Sequence, residues 1–297
     1  MAAQTKFRGT GTAIVTPFKK DGSLDEETLR RFVDFQIKGG VEAIVPLGTT
    51  GEYPTLSQKE QQRVIEIVVE QTNKRVKVFA GAGSNNTVEV IEKAKFAKHI
   101  GADAALVVGP YYNRPTQNGY FQHFRAVADA VDIPLIIYNV PGRTSGNIEA
   151  ATMLRMAEEI PNVIMAKEAS GNMAQVMEIA RNMPKHFSLL SGDDSLAYSI
   201  IALGGDGCIS VASNEVPKEY SNLMRLCLKG EWTEALRLQY RLLPLMNINF
   251  IESSPIPAKA ALAMMGMMEE TVRLPLVPLT EPSRVKLKNI LAELKLV

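Results

Sequence analysis

Lys167 closes the apolar run Val163-Ile164-Met165-Ala166, which follows Pro161-Asn162 and reads as a buried strand with a lysine at its C-terminal end. An ammonium taken out of water is costly unless paired, and desolvation favours the neutral amine. A neutral lysine amine attacks carbonyl carbons, which is the chemistry of Schiff-base enzymes. The bland alternative is a strand-end lysine that snorkels to solvent or pairs with Glu168. Other reactive types recur at the ends of similar runs: Gly48-Thr49-Thr50-Gly51-Glu52, Gly109-Pro110-Tyr111-Tyr112-Asn113-Arg114-Pro115, Tyr138-Asn139-Val140-Pro141-Gly142-Arg143-Thr144, Ser191-Gly192-Asp193-Asp194 and Ile209-Ser210. Together they offer an amine nucleophile, phenols able to move protons, hydroxyls and N–H groups for one carboxylate, and a guanidinium for a second. Taken singly, each has an ordinary reading as a turn, a helix cap, packing or a solvated charge. Their convergence on one rim is what carries weight.

The elements that must position these groups are short apolar runs alternating with amphipathic stretches. Strands are expected at 12–15, 43–47, 76–80, 104–108, 134–138, 163–167, 188–190 and 207–211. Helical patterns occupy 26–37, 58–71, 88–100, 119–130, 150–159, 174–183 and 195–203, with cap chemistry at Asp25 and at Ser57 followed by Glu60. This α/β alternation favours a parallel sheet, and eight such strands close a (β/α)8 TIM barrel, whose reactive groups sit at the strand C-termini. A doubly wound open sheet is the structural alternative. It would carry a glycine-rich turn after the first strand, whereas Gly9-Thr10-Gly11 comes ahead of the strand expected at 12–15. After residue 214 the pattern is helical, at 220–229, 232–250, 256–265 and 283–294. The expected division is therefore a barrel over 1–225 and a C-terminal helical region over 226–297, with Met264, Met265, Met267 and Met268 as packing residues.

Composition narrows the partners. The 297 residues are 46% hydrophobic with a formal net charge of +1, a balance that points to neither nucleic acid nor an anionic membrane. Cys208 and Cys227 form no CxxC pair, and His99, His123 and His186 fall in no ligand spacing, so no metal site is expected. Gly204-Gly205-Asp206-Gly207 is a weak phosphate-loop candidate, because its glycines precede a strand and would lie at the wrong end. The N-terminal Met1-Ala2-Ala3-Gln4-Thr5-Lys6 lacks the apolar core of a signal peptide, and no window reaches membrane-spanning length. A cytoplasmic setting is the expectation.

The motifs Gly48-Thr49-Thr50-Gly51-Glu52, Tyr112, Tyr138 to Thr144, Lys167-Glu168-Ala169-Ser170-Gly171 and Ser253-Ser254-Pro255-Ile256-Pro257-Ala258-Lys259 resemble those of the dihydrodipicolinate synthase and N-acetylneuraminate lyase family of class I aldolases. The resemblance runs from about Gly9 to the C-terminus. It implies a TIM barrel assembled as a homotetramer of two tight dimers, condensing pyruvate with L-aspartate-4-semialdehyde on the diaminopimelate route to lysine. It implies that Lys167 forms the imine with pyruvate, that Tyr138 is the general acid/base, and that Thr49 and Tyr112 complete a proton relay, Tyr112 reaching in from a neighbouring subunit. Thr50 is expected to bind the pyruvate carboxylate and Arg143 that of the semialdehyde, with Gly192 and Ile209 lining the pocket. No cofactor is implied, since the imine itself is the electron sink.

The competing activity within the resemblance is an N-acetylneuraminate lyase or a 2-keto-3-deoxy sugar acid aldolase or dehydratase. Arg143 favours a short second substrate with its own carboxylate. A non-catalytic barrel would be expected to lack Lys167, Tyr138 or Thr49, and all three are present. Asn85, Glu89 and Tyr111 match an effector cleft for lysine in sensitive members. Tyr53, Gln58, Lys59 and Gln61 depart from that pattern, so weak or absent lysine feedback is expected.

Overall fold

Eight short parallel strands pair in chain order and close into a barrel. The computed structural model describes residues 6–297, so the expectation about the N-terminal Met1-Ala2-Ala3-Gln4-Thr5 lies outside the described residues. The strands are β1 (Gly9–Ala13), β2 (Ala43–Val45), β3 (Lys77–Gly81), β4 (Ala104–Val108), β5 (Leu135–Asn139), β6 (Val163–Glu168), β7 (Ser188–Ser191) and β8 (Gly207–Ser210). The helices are α1 (Glu26–Gly39), α2 (Gln58–Thr72), α3 (Thr87–Ile100), α4 (Gln117–Ala130), α5 (Pro141–Thr144), α6 (Ala150–Glu159), α7 (Met173–Asn182), α8 (Ala197–Ala202), α9 (Pro217–Lys229), α10 (Trp232–Ile248), α11 (Ile256–Met264) and α12 (Glu281–Glu293). The (β/α)8 barrel with a helical C-terminal part is thus realised, and the open-sheet alternative is not. Strands such as β1 and β5 are buried along their whole length, as expected where both faces of a parallel sheet are covered.

Cap chemistry sets the helix starts. The Ser57 hydroxyl accepts from Glu60 N while the Glu60 carboxylate accepts from Ser57 N, a reciprocal box that opens α2. Asp25, Asn86, Thr116 and Asn172 cap α1, α3, α4 and α7 with a side-chain oxygen that accepts a first-turn N–H, without the reciprocal bond.

One expected boundary is corrected. β1 begins at Gly9, so Gly9-Thr10-Gly11 lies inside the first strand and not ahead of it. The start of β1 runs close against the start of β8: a Cβ built on Gly207 would stand 1.9 Å from Gly9 O, so Gly207 must be glycine, and Gly9 N donates to Asp206 O at 2.8 Å. The short α5, directly after β5, is a second element the sequence pattern did not separate from its loop.

The chain forms two compact units, one of Phe79–Ile209 with the stretch up to Gly9, the other of Thr10–Val78 with Ser210–Val297. In the first, α3, α4, α6 and α7 pack each on the next, around fully buried side chains such as Phe124, Val127, Met153, Met156 and Ile179. In the second, α1 packs on α2 and α9, and α12 packs on α10 and α11. Its core carries a polar brace at Asn214, which is wholly buried. Asn214 Oδ1 accepts from Val15 N at 3.1 Å, and its Nδ2 donates to Ala13 O at 2.9 Å and Val211 O at 2.8 Å. Gln36 Nε2 donates to Asn214 O at 3.0 Å, so α1, the end of β1 and the turn after β8 share one network.

Asn214→Ala should strand these backbone groups without water. Each buried orphan costs about 1–3 kcal/mol, so the thermal midpoint should fall by roughly 5–10 °C. A midpoint within a degree of the parent would refute the brace.

Candidate active site

The register of β5 on β6 sets Tyr138 beside Lys167 and Asn139 beside Glu168. Lys167 Nζ lies 4.1 Å from the centroid of the Tyr138 ring, and both residues are 6% exposed. An ammonium or iminium at that point faces the electron-rich side of the ring, an attraction that grows as water is excluded. Neither bland reading of Lys167 survives. It does not snorkel, and alternation along the strand turns Glu168 to the opposite face.

Glu168 is instead the centre of a buried polar lattice. Its carboxylate accepts from Asn139 Nδ2 at 3.0 Å, Gln175 Nε2 at 3.1 Å and Ser170 N at 2.7 Å. Asn139 Oδ1 accepts from Ile148 N at 3.0 Å, and Asn147 Nδ2 donates to Gln175 Oε1 at 2.8 Å. These bonds tie β5, β6, the approach to α6 and the first turn of α7 behind the Tyr138–Lys167 pair. The sequence reading saw Glu168 only as a potential partner of Lys167. The usable signal was a carboxylate next to the lysine with side-chain amides at Asn139, Asn147 and Gln175, but the amides are spread over 36 residues and only the fold gathers them.

Gly192 and Ile209 lie in the same unit. Gly192 N donates to Glu168 O at 2.7 Å, and a Cβ on Gly192 would stand 2.7 Å from Ala169 Cβ and 3.0 Å from Lys167 Cε. A side chain at this position would meet Ala169 first and the lysine stem next, so the close packing favours glycine there. Ile209 is 1% exposed on β8, one residue beyond the Ser191–Cys208 pairing and so level with Gly192. Asp193 Oδ1 accepts from Ser195 N at 2.9 Å in a local turn, whereas α8 is capped at Leu196 without a side-chain hydrogen bond, so the alternative of a helix cap at Asp193 is not realised.

Arg143 projects from α5, immediately after Tyr138 and Asn139 in the chain, and is exposed. Tyr112 stands alone among the expected catalytic residues in being 91% exposed, on a backbone with φ 70°. A non-glycine residue in the left-handed region is strained. Asn113 Nδ2 donates to Asn85 O at 2.9 Å, which links the Tyr111-Tyr112-Asn113 loop to the segment ahead of α3. Of the expected effector contacts, Asn85 and Tyr111 are half-buried, and exposed Glu89 accepts from Ser84 Oγ at 2.7 Å.

Thr49 and Thr50 belong to the other unit, in the turn after β2. Gly51 N donates to Gly48 O and Glu52 N to Thr49 O, each at 3.1 Å, which winds the turn tightly. Thr50 is 4% exposed and Thr49 half-buried.

Chemically, the amine and phenol are the parts of an imine-forming centre, held in a dry setting and backed by a rigid lattice. No helix among the described residues is long and apolar enough to cross a membrane.

Known proteins resemble this chain over nearly its whole length. The dihydrodipicolinate synthetase family matches residues 6–294. A 4-hydroxy-tetrahydrodipicolinate synthase of Koribacter versatilis is 54% identical over 289 residues, covering 97% of this chain and 96% of that protein. The crystal structure of the chloride-inhibited dihydrodipicolinate synthase of Acinetobacter baumannii, complexed with pyruvate, superposes with TM-score 0.96 at 43% identity, covering 98% of this chain and 100% of that one. The enzyme from Cyanidioschyzon merolae with lysine bound gives TM-score 0.95 at 39% identity, covering 98% and 99%.

Gly192→Ala tests the tight passage beside the lysine. The added methyl group would stand 2.7 Å from Ala169 Cβ and 3.0 Å from Lys167 Cε, so Ala169 and the lysine stem must both yield. Turnover should fall, with about 10²-fold as the loss for a full ångström of misplacement. Circular dichroism should match the parent, while covalent labelling of Lys167 slows. Unchanged kinetics in Gly192→Ala would show that the lysine has room to spare.

Proposed function

The chain belongs to the dihydrodipicolinate synthetase family, and from that premise we propose that it condenses pyruvate with L-aspartate-4-semialdehyde, the 4-hydroxy-tetrahydrodipicolinate synthase reaction. The observation that carries this reading is the buried Lys167 amine against the Tyr138 ring, on strands that also bear the Tyr138 to Thr144 motif. Lys167 Nζ adds to the carbonyl carbon of pyruvate, and loss of water gives the iminium. The positive nitrogen acidifies the neighbouring methyl group, which yields a proton and becomes the enamine carbon. That carbon attacks the aldehyde of the second substrate, which restores the iminium, and the new alkoxide takes up a proton. The amine of the second substrate then adds to the iminium carbon, closing the ring and releasing Lys167 as the free amine.

Tyr138 is the general acid/base in these transfers. Thr49 and Tyr112 extend it as a relay, with Tyr112 supplied by a neighbouring copy in a homotetramer built from tight dimers. The strained backbone and exposed ring of Tyr112 support that assignment, because such strain must be held by the surrounding structure and clusters at functional sites. Thr50 takes the pyruvate carboxylate through its hydroxyl and N–H, Arg143 takes the semialdehyde carboxylate, and Gly192 and Ile209 shape the wall. The reaction needs no cofactor, since the iminium is the electron sink. Catalysis belongs to the barrel portion, 1–225, the helices of 226–297 support it, and the setting is cytoplasmic.

Borohydride reduction with pyruvate present should add a reduced pyruvyl mass to the peptide holding Lys167. Equal labelling of Lys167→Ala would overturn the assignment. Tyr138→Phe should fold normally and lose roughly 10²–10⁴ in turnover, the usual share of a general acid/base.

The activities nearest to this one, on sialic acid or sugar-derived keto acids, differ at the second carbonyl partner. Arg143→Ala should raise KM for the semialdehyde by at least tenfold, a loss of about 1.4 kcal/mol, and leave pyruvate nearly unaffected. Efficient cleavage of N-acetylneuraminate by the unmodified enzyme, with the semialdehyde ignored, would transfer the function to that branch.

Feedback by lysine is weak or absent in this proposal. Gln61 Nε2 donates to Tyr53 O and to Leu56 O, both at 3.0 Å, so that amide is engaged by its own loop. Half-inhibition by L-lysine below about a millimolar, an affinity near 4 kcal/mol, would contradict it.

A further inference from the structure

A second lysine is buried more deeply than Lys167, and the reaction does not use it. Lys259, in the first turns of α11, has no solvent exposure. Its Nζ donates to Glu52 Oε1 at 2.6 Å, and both side chains of the pair are 0% exposed. Glu52 Oε2 accepts from Arg273 N at 3.2 Å, so both carboxylate oxygens are satisfied from the C-terminal part of the chain. Phe18 is flanked by two cations, with Lys259 Nζ 4.2 Å and Arg273 Cζ 4.3 Å from its ring centroid. The Arg273 guanidinium then spans outward to Glu60, the capping residue of α2, at 2.5 and 3.0 Å, to Thr55 O at 3.1 Å and to Gly22 O at 2.8 Å. Burial presses the Lys259 ammonium below its ordinary range, and the Glu52 carboxylate opposes that shift.

Glu52 ends the turn that carries Thr49 and Thr50. Leu47 at φ 58° and Glu52 at φ 54° bracket this turn, both in the left-handed region. The turn has no slack: a Cβ on Gly51 would lie 3.0 Å from Leu47 N and 3.2 Å from Ile14 O, and Thr16 Oγ1 donates to Gly51 O at 2.7 Å. That conformation costs leucine or glutamate about 1–2 kcal/mol each, which the surrounding structure must offset. A hydrogen-bonded ion pair sealed from water is a hold of the required kind, because breaking it leaves a charge stranded in the interior. The residues that make it lie 207 positions apart, so the barrel turn is clamped by the C-terminal helices.

We propose that Lys259 is a positioning residue: through Glu52 it fixes the 48–51 turn in the backbone conformation that lets Thr50 receive the pyruvate carboxylate. This inference rests on the proposed aldol reaction for its catalytic consequence, and on the turn's geometry alone for the clamp.

The test compares Lys259→Met, which keeps the volume and removes the charge, with Glu52→Gln and with the double variant. In Lys259→Met the pyruvate KM should rise about tenfold or more, while KM for the semialdehyde moves less than about threefold and saturating pyruvate still labels Lys167. Glu52→Gln keeps an acceptor for Lys259 and should give a smaller rise of the same kind. The double variant should recover part of the loss in Lys259→Met, because the stranded carboxylate is gone. Hydrogen–deuterium exchange reads the clamp without substrate: amides of Thr50, Gly51 and Glu52 should exchange at least about tenfold faster in Lys259→Met, with β5 and β6 unchanged. Should Lys259→Met fail to fold, Glu52→Gln provides the same two readouts. A folded variant with parental pyruvate KM and parental exchange in the turn overturns the proposal, as does a loss confined to turnover. A parent enzyme that pyruvate does not label refutes the aldol reading instead, and the exchange rates then decide the clamp by themselves.

Discussion

The register between β5 and β6 is the constraint on which the rest of the site depends. A slip of one residue would turn Lys167 and Tyr138 out of the barrel interior and bring Asn139 and Glu168 in, since side chains alternate along each strand. Apolar pairing alone does not forbid that slip, because both faces of these strands are covered. The Glu168 lattice forbids it. Its carboxylate finds donors from Asn139, Gln175 and Ser170 N only when each faces the helix layer. Inserted into the barrel, the same charge would have to be desolvated without those donors, at a cost of several kcal/mol. The reactive pair is thus aligned by a polar network on the far side of the sheet from itself.

The two buried lysines show how surroundings assign roles to one chemical group. Lys259 is closed off from solvent, with its nitrogen engaged by Glu52. Its 0% exposure leaves a substrate carbonyl no open path to it, and the proposed clamp gives its charge a structural use. Lys167 retains a little exposure and lies over an aromatic face, with the carboxylate next to it in the chain, Glu168, satisfied by other donors. A ring quadrupole stabilises a cation less firmly than a hydrogen-bonded carboxylate does. It also accommodates the flat iminium that replaces the ammonium, which a tight ion pair does not. In the proposed reaction the amine that reacts is therefore matched with a partner that tolerates change, and the amine held in the clamp with one that does not.

Much of this was legible in the chain because local signals agree with one another. The run ending at Lys167, the box at Ser57 and Glu60, and the eightfold alternation each have a period or a cap that sterics and hydrogen bonding dictate locally. The start of β1 escapes a local reading because Gly9-Thr10-Gly11 has the look of a turn, whereas its place in the sheet is set by a backbone almost 200 residues away, where Gly207 lets the two strands approach. The Glu168 lattice, the Asn214 brace and the Glu52–Lys259 pair were hidden for the same reason. Each member looks like an ordinary polar residue, and its partner is fixed by topology instead of spacing. Glu52 and Lys259 both fall in motifs that the resemblance singles out, yet no periodicity connects them.

Buried polar groups are a hazardous way to build a core, since replacing them with well-packed apolar side chains is often neutral or stabilising. Their retention at three separate places here follows from what each has to hold. Asn214 braces backbone groups left over where a strand ends and a turn begins, and an apolar residue offers those groups nothing. Glu168 selects one strand register out of two that packing alone would accept. Glu52 holds a turn whose backbone conformation is unfavourable for its own side chain. Hydrophobic contact is non-directional and supplies none of these. The polar interactions stand at the C-terminal ends of β2, β5, β6 and β8, where a barrel enzyme works, and the apolar residues between them provide the bulk against which that geometry is kept rigid.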